Sequence, residues 1–75
     1  MPKYDYSELR GKIYAKYKNQ KRFAIAMGMT EASLSKKLDA LSFFTAPEIE
    51  KSMKLLGLPM EQIQFYFFTH KEVNN

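Results

Sequence analysis

The chain has 75 residues, of which 45% are apolar, and a formal net charge of +4. This length suits one small domain, and the apolar content argues against wholesale disorder. The absence of cysteine excludes disulfides and cysteine-ligated zinc, and no apolar run approaches the roughly 20 residues of a membrane span. The first residues lack the apolar core of a signal peptide, so we expect a cytoplasmic protein that binds no membrane.

The first predicted helix covers residues 5–17. Asp5 and Glu8 have the spacing of a capping box, in which two side chains accept hydrogen bonds from the orphan N–H groups of the first turn. Apolar side chains recur at helical spacing and form the expected buried face, namely Tyr6, Leu9, Ile13 and Tyr17.

Two further helices are predicted on either side of Gly28. Asn19 is the predicted N-cap of the second helix, and Gly28 ends it, because glycine adopts the left-handed C′ conformation without strain. Thr30 is the predicted N-cap of the third helix, which covers residues 31–39. The connection is too short for antiparallel packing, and the small Ala24 lets the helices cross closely, as in a helix-turn-helix.

The second half of the chain predicts two more helices. Thr45 and Glu48 have capping-box spacing at the start of the fourth helix, with Pro47 in its first turn and Gly57 at its end. Pro59 begins a short fifth helix.

These elements form one predicted domain over residues 1–70, followed by a frayed polar tail at residues 71–75. Residues 65–69 are the one segment for which a strand is an alternative, in a dimer with extended tails.

Positive charge is concentrated in the first half of the chain. Between residues 10 and 37 there are eight basic residues and a single acidic one, Glu31. The basic residues are Arg10, Lys12, Lys16, Lys18, Lys21, Arg22, Lys36 and Lys37. This distribution favours an anionic partner such as a nucleic acid.

Gln20, Ala24, Gly28 and Leu34 recur at the offsets of a known motif. They resemble the Cro and CI repressor family, the lambda-repressor-like or XRE-type helix-turn-helix proteins. The runs YDYSELRGKIYAKYKNQKRFAIAMGMTEASLSKKL and IQFYFFT resemble small Cro-like regulators carried by phages and prophages of Gram-positive bacteria. The resemblance implies a compact all-α, five-helix, lambda-repressor-like DNA-binding domain with a helix-turn-helix at helices 2 and 3.

The sequence departs from that family at Lys37, where an apolar residue is usual. We expect Leu38 to take over the packing after a small rotation of the third helix.

The resemblance also implies which residues contact DNA. The predicted base-contact residues are Thr30, Glu31, Ala32, Ser35 and Lys36. The predicted phosphate-contact residues are Lys12, Asn19, Gln20, Lys21, Ser33 and Ser42. The carboxylate of Glu31 has two interpretations, because it could accept from cytosine N4 or favour the positive end of the helix dipole.

Phe65, Tyr66, Phe67 and Phe68 are four consecutive aromatic residues, and one helix cannot bury them all in its own core. We interpret them as a homodimer interface, since clustered exposed aromatics mark association surfaces. The alternative is that Tyr66 and Phe67 complete the core and the other two are half exposed.

No catalytic constellation is present in the sequence. His70 is the only histidine and has no second ligand at metal-binding spacing. We therefore expect neither an enzyme nor a metal site, and no cofactor or small-molecule substrate.

The predicted function is a sequence-specific regulator of transcription that binds palindromic double-stranded operator DNA as a homodimer. Two alternatives remain open. One is a small helical protein-interaction module such as an antirepressor, and the other is an RNA-binding domain.

Overall fold

This computed structural model describes residues 4–70 of the chain. They contain five α-helices and one 3₁₀ turn, joined by short turns and loops. The helices are α1 (Ser7–Tyr17), α2 (Gln20–Met27), α3 (Glu31–Leu38), α4 (Ala46–Leu56) and α5 (Ile63–Phe67), and the 3₁₀ turn (Met60–Gln62) precedes α5. The prediction of an all-α fold with five helices is confirmed for these residues. The predicted tail at residues 71–75 lies outside them.

The alternative of a strand over residues 65–69 is wrong, because residues 63–67 are helical. Only an isolated antiparallel bridge, between Tyr4 and His70, brings extended backbone together within residues 4–70. Within residues 4–70, no helix combines the length and the apolar character that a membrane span requires.

The predicted caps of α2, α3 and α4 are present. The Asn19 side chain accepts a hydrogen bond from the Arg22 backbone N–H at 2.8 Å, and Gly28 ends α2 in the left-handed conformation at φ 76°. Thr45 and Glu48 form the reciprocal capping box of α4. The side-chain caps accept hydrogen bonds from N–H groups three residues away, so the local sequence is enough to predict them.

The predicted capping box between Asp5 and Glu8 is not formed. Asp5 Oδ1 instead accepts from the backbone N–H of Ser7 at 2.9 Å, and α1 begins at Ser7. The Asp5 backbone N–H, which a capping box would pair with the Glu8 side chain, donates instead to the Thr69 carbonyl at 2.7 Å.

The core lies where α1, α2, α4 and α5 meet, and α3 packs mainly against α2. Leu9, Phe23 and Leu34 are fully buried there. Tyr6, Phe44 and Phe67 form an aromatic cluster, with ring centroids separated by 5.2 to 6.3 Å. Because α3 has one principal neighbour, its other side remains open to solvent.

Candidate functional site

The predicted base-contact residues lie at the start and on the open side of α3. Thr30 is the N-cap, and its hydroxyl accepts a hydrogen bond from the Ser33 backbone N–H at 3.1 Å. Glu31, Ala32 and Lys36 are exposed, and Ser35 is half-buried. These side chains therefore lie together on one accessible surface at the start of α3.

The predicted phosphate-contact residues are spread over α1, the start of α2, α3 and the loop after α3. Asn19 is engaged as a helix cap, and Gln20, Ser33 and Ser42 are half-buried. Lys12 and Lys21 are exposed. Among the predicted phosphate-contact residues, only these two lysines are both exposed and positively charged.

About half of the basic residues between positions 10 and 37 are engaged inside the fold. The Arg10 guanidinium pairs with Asp39 at 2.6 Å, and the Lys16 ammonium donates to the Leu55 carbonyl. Four basic side chains have no hydrogen bond or ion pair within residues 4–70, and we call them the free cations: Lys12, Lys21, Arg22 and Lys36. They lie on three consecutive helices.

Lys37 is buried rather than displaced from the core. Lys37 is 9% exposed. Its ammonium donates to the Phe43 carbonyl at 2.8 Å and lies 3.2 Å from Glu48 Oε1. The aliphatic stem thus fills the apolar position while the charged end reaches the surface. Leu38 is buried beside it, so the expected replacement of one by the other is wrong, because both side chains pack.

The same contacts perturb Glu48. Burial raises the pKa of its carboxyl, but the hydrogen bonds from Thr45 and Lys37, together with the Lys37 charge, lower the pKa below its ordinary value. The lysine therefore links α3, the loop after α3 and the first turn of α4.

The aromatic residues at the end of α5 divide into two kinds. Tyr66 and Phe67 are 4% and 1% exposed and belong to the core, so they are not available to the predicted interface, and the alternative in which these two complete the core describes the segment. Phe65 and Phe68 remain 51% and 41% exposed, and Phe68 packs edge-on against Tyr4 at 5.7 Å. The helical periodicity of α5 explains the division, because adjacent side chains point in different directions.

A cavity of about 280 Å³ lies beside the start of α1, and we call it the α1 cavity. Its walls come from two segments, and the lining residues are Tyr4, Asp5, Tyr6, Ser7, Arg10, Leu38, Asp39 and Ala40. Tyr6 is 6% exposed, and its hydroxyl forms no hydrogen bond within residues 4–70. Burial, and to a smaller extent the neighbouring Tyr4, raise the pKa of Tyr6.

Sequence reasoning missed the α1 cavity. Its two segments are separated by nearly thirty residues, and the ion pair that joins them, Arg10 to Asp39, spans 29 positions. Each segment alone has an ordinary composition, so no local signal indicates the site.

One solved structure has a closely similar fold, that of the modulator of repression (MOR) of the temperate bacteriophage TP901-1 from Lactococcus lactis, determined in solution. The two chains are 45% identical, and the match covers 87% of this chain and 88% of the other, with a TM-score of 0.74. No curated protein sequence matches the chain.

The assignment to the Cro and CI repressor family is wrong, because the matching family and the similar structure are different ones. Gln20, Ala24, Gly28 and Leu34 describe two helices that pack closely around a glycine turn, and that geometry does not distinguish one family from another. The family model that matches covers residues 2–70 and is described as a protein of unknown function, DUF739. The chain therefore belongs to the DUF739 family.

Proposed function

We propose that this chain is a small phage-type regulatory protein that modulates repression by binding a transcriptional repressor. The similarity to the phage modulator of repression carries this proposal, because 45% identity extends over nearly the whole fold. The role is binding rather than catalysis, and it belongs to the cytoplasm, where a repressor meets its operator.

The distribution of apolar side chains supports a protein partner. Large apolar residues remain well exposed on the loop after α3 and at the end of α5, namely Leu41, Phe43, Phe65 and Phe68. Protein interfaces are enriched in aromatic side chains at their centres. Such a surface suits a protein better than it suits a phosphate backbone, which is bound mainly by cations.

The test is an operator-binding assay with a transcriptional repressor from the same genome. We expect the protein to change the operator occupancy of the repressor in a gel-shift titration, at concentrations at which it retards no operator DNA alone. Unchanged occupancy, together with no complex in sedimentation of the two proteins, would contradict the proposal.

A second candidate is direct binding of double-stranded DNA by a helix-turn-helix of α2 and α3. Its specific support is the open side of α3 together with the four free cations. In this candidate two copies, joined through Phe65 and Phe68, would place their α3 helices in major grooves about 34 Å apart on a palindromic operator.

The second candidate has its own test. Affinity for duplex DNA should fall steeply with salt, with a log–log slope of about −0.9 for each neutralised phosphate. Lys21→Ala should reduce that slope, whereas Lys54→Ala, a change of an exposed lysine on α4, should not. Equal effects of the two variants would contradict a DNA-binding face at α2, and a preference for RNA of the same sequence would favour the RNA alternative. Sedimentation of a Phe65→Ser, Phe68→Ser variant tests the homodimer.

A further inference from the structure

The loop after α3 exposes two large apolar side chains, Leu41 and Phe43, which we call the loop surface. They are 68% and 76% exposed, whereas Ser42 and Phe44 are half-buried. The Phe44 ring is held against Tyr6 at a centroid distance of 5.4 Å. Successive side chains of an extended segment point to opposite sides, so the inward position of Phe44 directs Phe43 outward. Burial therefore alternates along the segment, and the loop surface forms its solvent side.

The end of α3 fixes Leu41 beside Lys36. Ala40 is left-handed at φ 60°, and its N–H donates to the Lys37 carbonyl at 3.1 Å. The Leu41 N–H donates to the Lys36 carbonyl at 2.8 Å. In a helix end of this kind, the residue after the left-handed one frequently makes an apolar contact with the last turn of the helix. The residues in that place are Ser35 and the exposed Lys36, so Leu41 gains no apolar partner and stays in solvent.

The loop surface is anchored at its other end as well. The Lys37 ammonium donates to the Phe43 carbonyl at 2.8 Å and pairs with Glu48 of α4. The exposure of Leu41 and Phe43 is therefore not the result of fraying. A partner would meet an ordered surface, without the entropic cost of arranging it.

The charges around the loop surface leave one cation without a partner. Lys37 and Asp39 are each neutralised by an ion pair. Lys36 forms no side-chain hydrogen bond or ion pair within residues 4–70. Glu31, the acidic residue of α3, lies in the first turn, at the opposite end of the helix. An apolar surface beside a free ammonium is complementary to an apolar surface that has a carboxylate at its border.

The area of the loop surface argues against a second copy of the chain as its occupant. Phe43 leaves on the order of 150 Å² of side chain in water, and Leu41 leaves somewhat less. A stable interface buries about 800 Å² on each partner, so two loop surfaces meeting each other fall well short. A few anchor side chains that enter pockets of a larger partner, however, often dominate the binding energy. The loop surface suits that role.

We propose that Leu41 and Phe43 insert into an apolar groove of the repressor, and that Lys36 pairs with an acidic side chain at the border of that groove. The identity of the partner rests on the proposed function, whereas the choice of surface rests on the exposure, order and charge of the loop. Phe65 and Phe68, at the end of α5, are less exposed than either residue of the loop surface.

The apolar contacts are tested by calorimetry of the full chain with the repressor. Phe43→Ser should weaken binding at least about tenfold, and Leu41→Ser about threefold, since the smaller side chain buries less area. Ile25→Ser is the matched control, because it removes an apolar side chain of similar exposure from α2, and it should bind normally. Weak binding by a Phe65→Ser, Phe68→Ser variant, with normal binding by both loop variants, would place the contact at α5 and overturn the inference.

The acidic border of the groove is tested by the dependence of binding on salt. Lys36→Gln should weaken binding about two- to fivefold at low salt, and its affinity should depend less on salt than that of the unaltered chain. Lys54→Gln, which neutralises an exposed lysine on α4, should leave both the affinity and its salt dependence unchanged. Equal salt dependence of the Lys36→Gln variant and the unaltered chain would overturn the pairing of Lys36 with an acidic side chain.

The outcomes are distinguishable. If the unaltered protein does not bind the repressor, the proposed function and this inference fail together. If it binds and the loop variants bind equally well, the proposed function stands and only this inference is overturned. Self-association of the unaltered chain that Phe43→Ser abolishes in sedimentation would identify a second copy as the occupant and would also overturn it. Circular dichroism of each variant confirms that the helices are retained.

Discussion

The turn after α2 (residues 28–30) and the loop after α3 (residues 39–45) are held by different means. In the first, Gly28 adopts the left-handed conformation, the Met29 N–H donates to the Ala24 carbonyl at 3.0 Å, and Thr30 caps the next helix. These contacts join residues close in sequence. Contacts from α4 reach only the preceding residue, Met27, whose carbonyl accepts from the Lys51 ammonium at 3.3 Å and whose sulfur accepts from the Ser52 hydroxyl at 3.4 Å.

The loop after α3 depends on side chains from three helices. Arg10 of α1 pairs with Asp39, and Lys37 of α3 binds both the Phe43 carbonyl and Glu48 of α4. This loop also forms one wall of the α1 cavity and exposes the apolar side chains beside it. The turn after α2, which the local sequence explains, has a structural role. The loop after α3, which is held by contacts from other helices, carries the candidate interface.

The largest loss of stability is expected at Lys37, the side chain that holds the loop after α3 to α4. Lys37→Ala removes a buried stem, leaves the Phe43 carbonyl without its donor and removes the ion pair with Glu48, whose carboxylate keeps its hydrogen bond from the Thr45 N–H. This should cost about 2–3 kcal/mol of unfolding free energy. The adjacent Lys36→Ala removes an exposed, unpaired lysine and should stay within about 0.5 kcal/mol of the unaltered protein. Urea unfolding measures both. Similar costs for the two variants would mean that Lys37 does not hold the loop.

The next effect concerns the two glycines of the first half. Gly28→Ala places a side chain at φ 76° and should cost about 1–2 kcal/mol. Gly11→Ala is the same chemical change inside α1, where the added Cβ meets no atom within 4 Å beyond its own helix backbone and chain neighbours, and should instead stabilise by about 0.5–1 kcal/mol. Thermal unfolding of both variants gives the signs. Equal signs would contradict the assignment of the turn after α2 to backbone conformation.

A smaller effect is expected at Ala40, the counterpart of Gly28 in the loop after α3. Ala40 has φ 60°, so Ala40→Gly should relieve strain and stabilise the fold by about 0.5 kcal/mol, after the loss of a half-buried methyl group. Ala15→Gly, an exposed position within α1, should destabilise by about 1 kcal/mol. Paired denaturation curves check the contrast, and destabilisation by both changes would show that the loop gains more from the methyl than it loses to strain.

The smallest effect is a dependence of stability on pH. Because the pKa of Glu48 is lower in the folded chain than its ordinary value near 4.5, the unfolded chain binds the proton first as the pH falls. The contribution of Glu48 is therefore present above pH 4.5 and is lost as the pH drops through the lowered pKa. Glu48→Gln should be less stable than the unaltered protein by less than about 1 kcal/mol at pH 7, and the difference should shrink in acid. Glu50→Gln serves as the control, and a difference that grows in acid would contradict the sign.

The sequence predicts those features of the fold that depend on contacts between residues close together in the chain. Asn19, Thr30 and Thr45 bind N–H groups three residues away, and the starts of α2, α3 and α4 are accordingly predicted correctly. The start of α1 is not, since the contact of Asp5 with Thr69 joins distant parts of the chain.

The candidate site shows the same limit more strongly. The exposure of Lys12, Lys21 and the first turn of α3 follows from helical periodicity. The contacts of Lys37 and the α1 cavity cannot be predicted from helical periodicity, because they depend on how α1, α3 and α4 pack relative to one another. The family was misassigned for a related reason, since the matched positions describe a packing geometry that different families can share.

The bridge between Tyr4 and His70 brings the two ends of the described fold side by side, next to the α1 cavity. A fusion partner attached at either end would therefore emerge near that cavity. A short linker from residue 70 to residue 4 closes the fold into a ring, and new ends can be opened in the turn at residues 57–59. That turn follows Leu55, whose carbonyl is bound by Lys16, so it lies near the far end of α1, roughly 15 Å from the cavity along the helix. A circular permutant of this kind keeps all five helices intact and leaves the candidate interface free of chain ends.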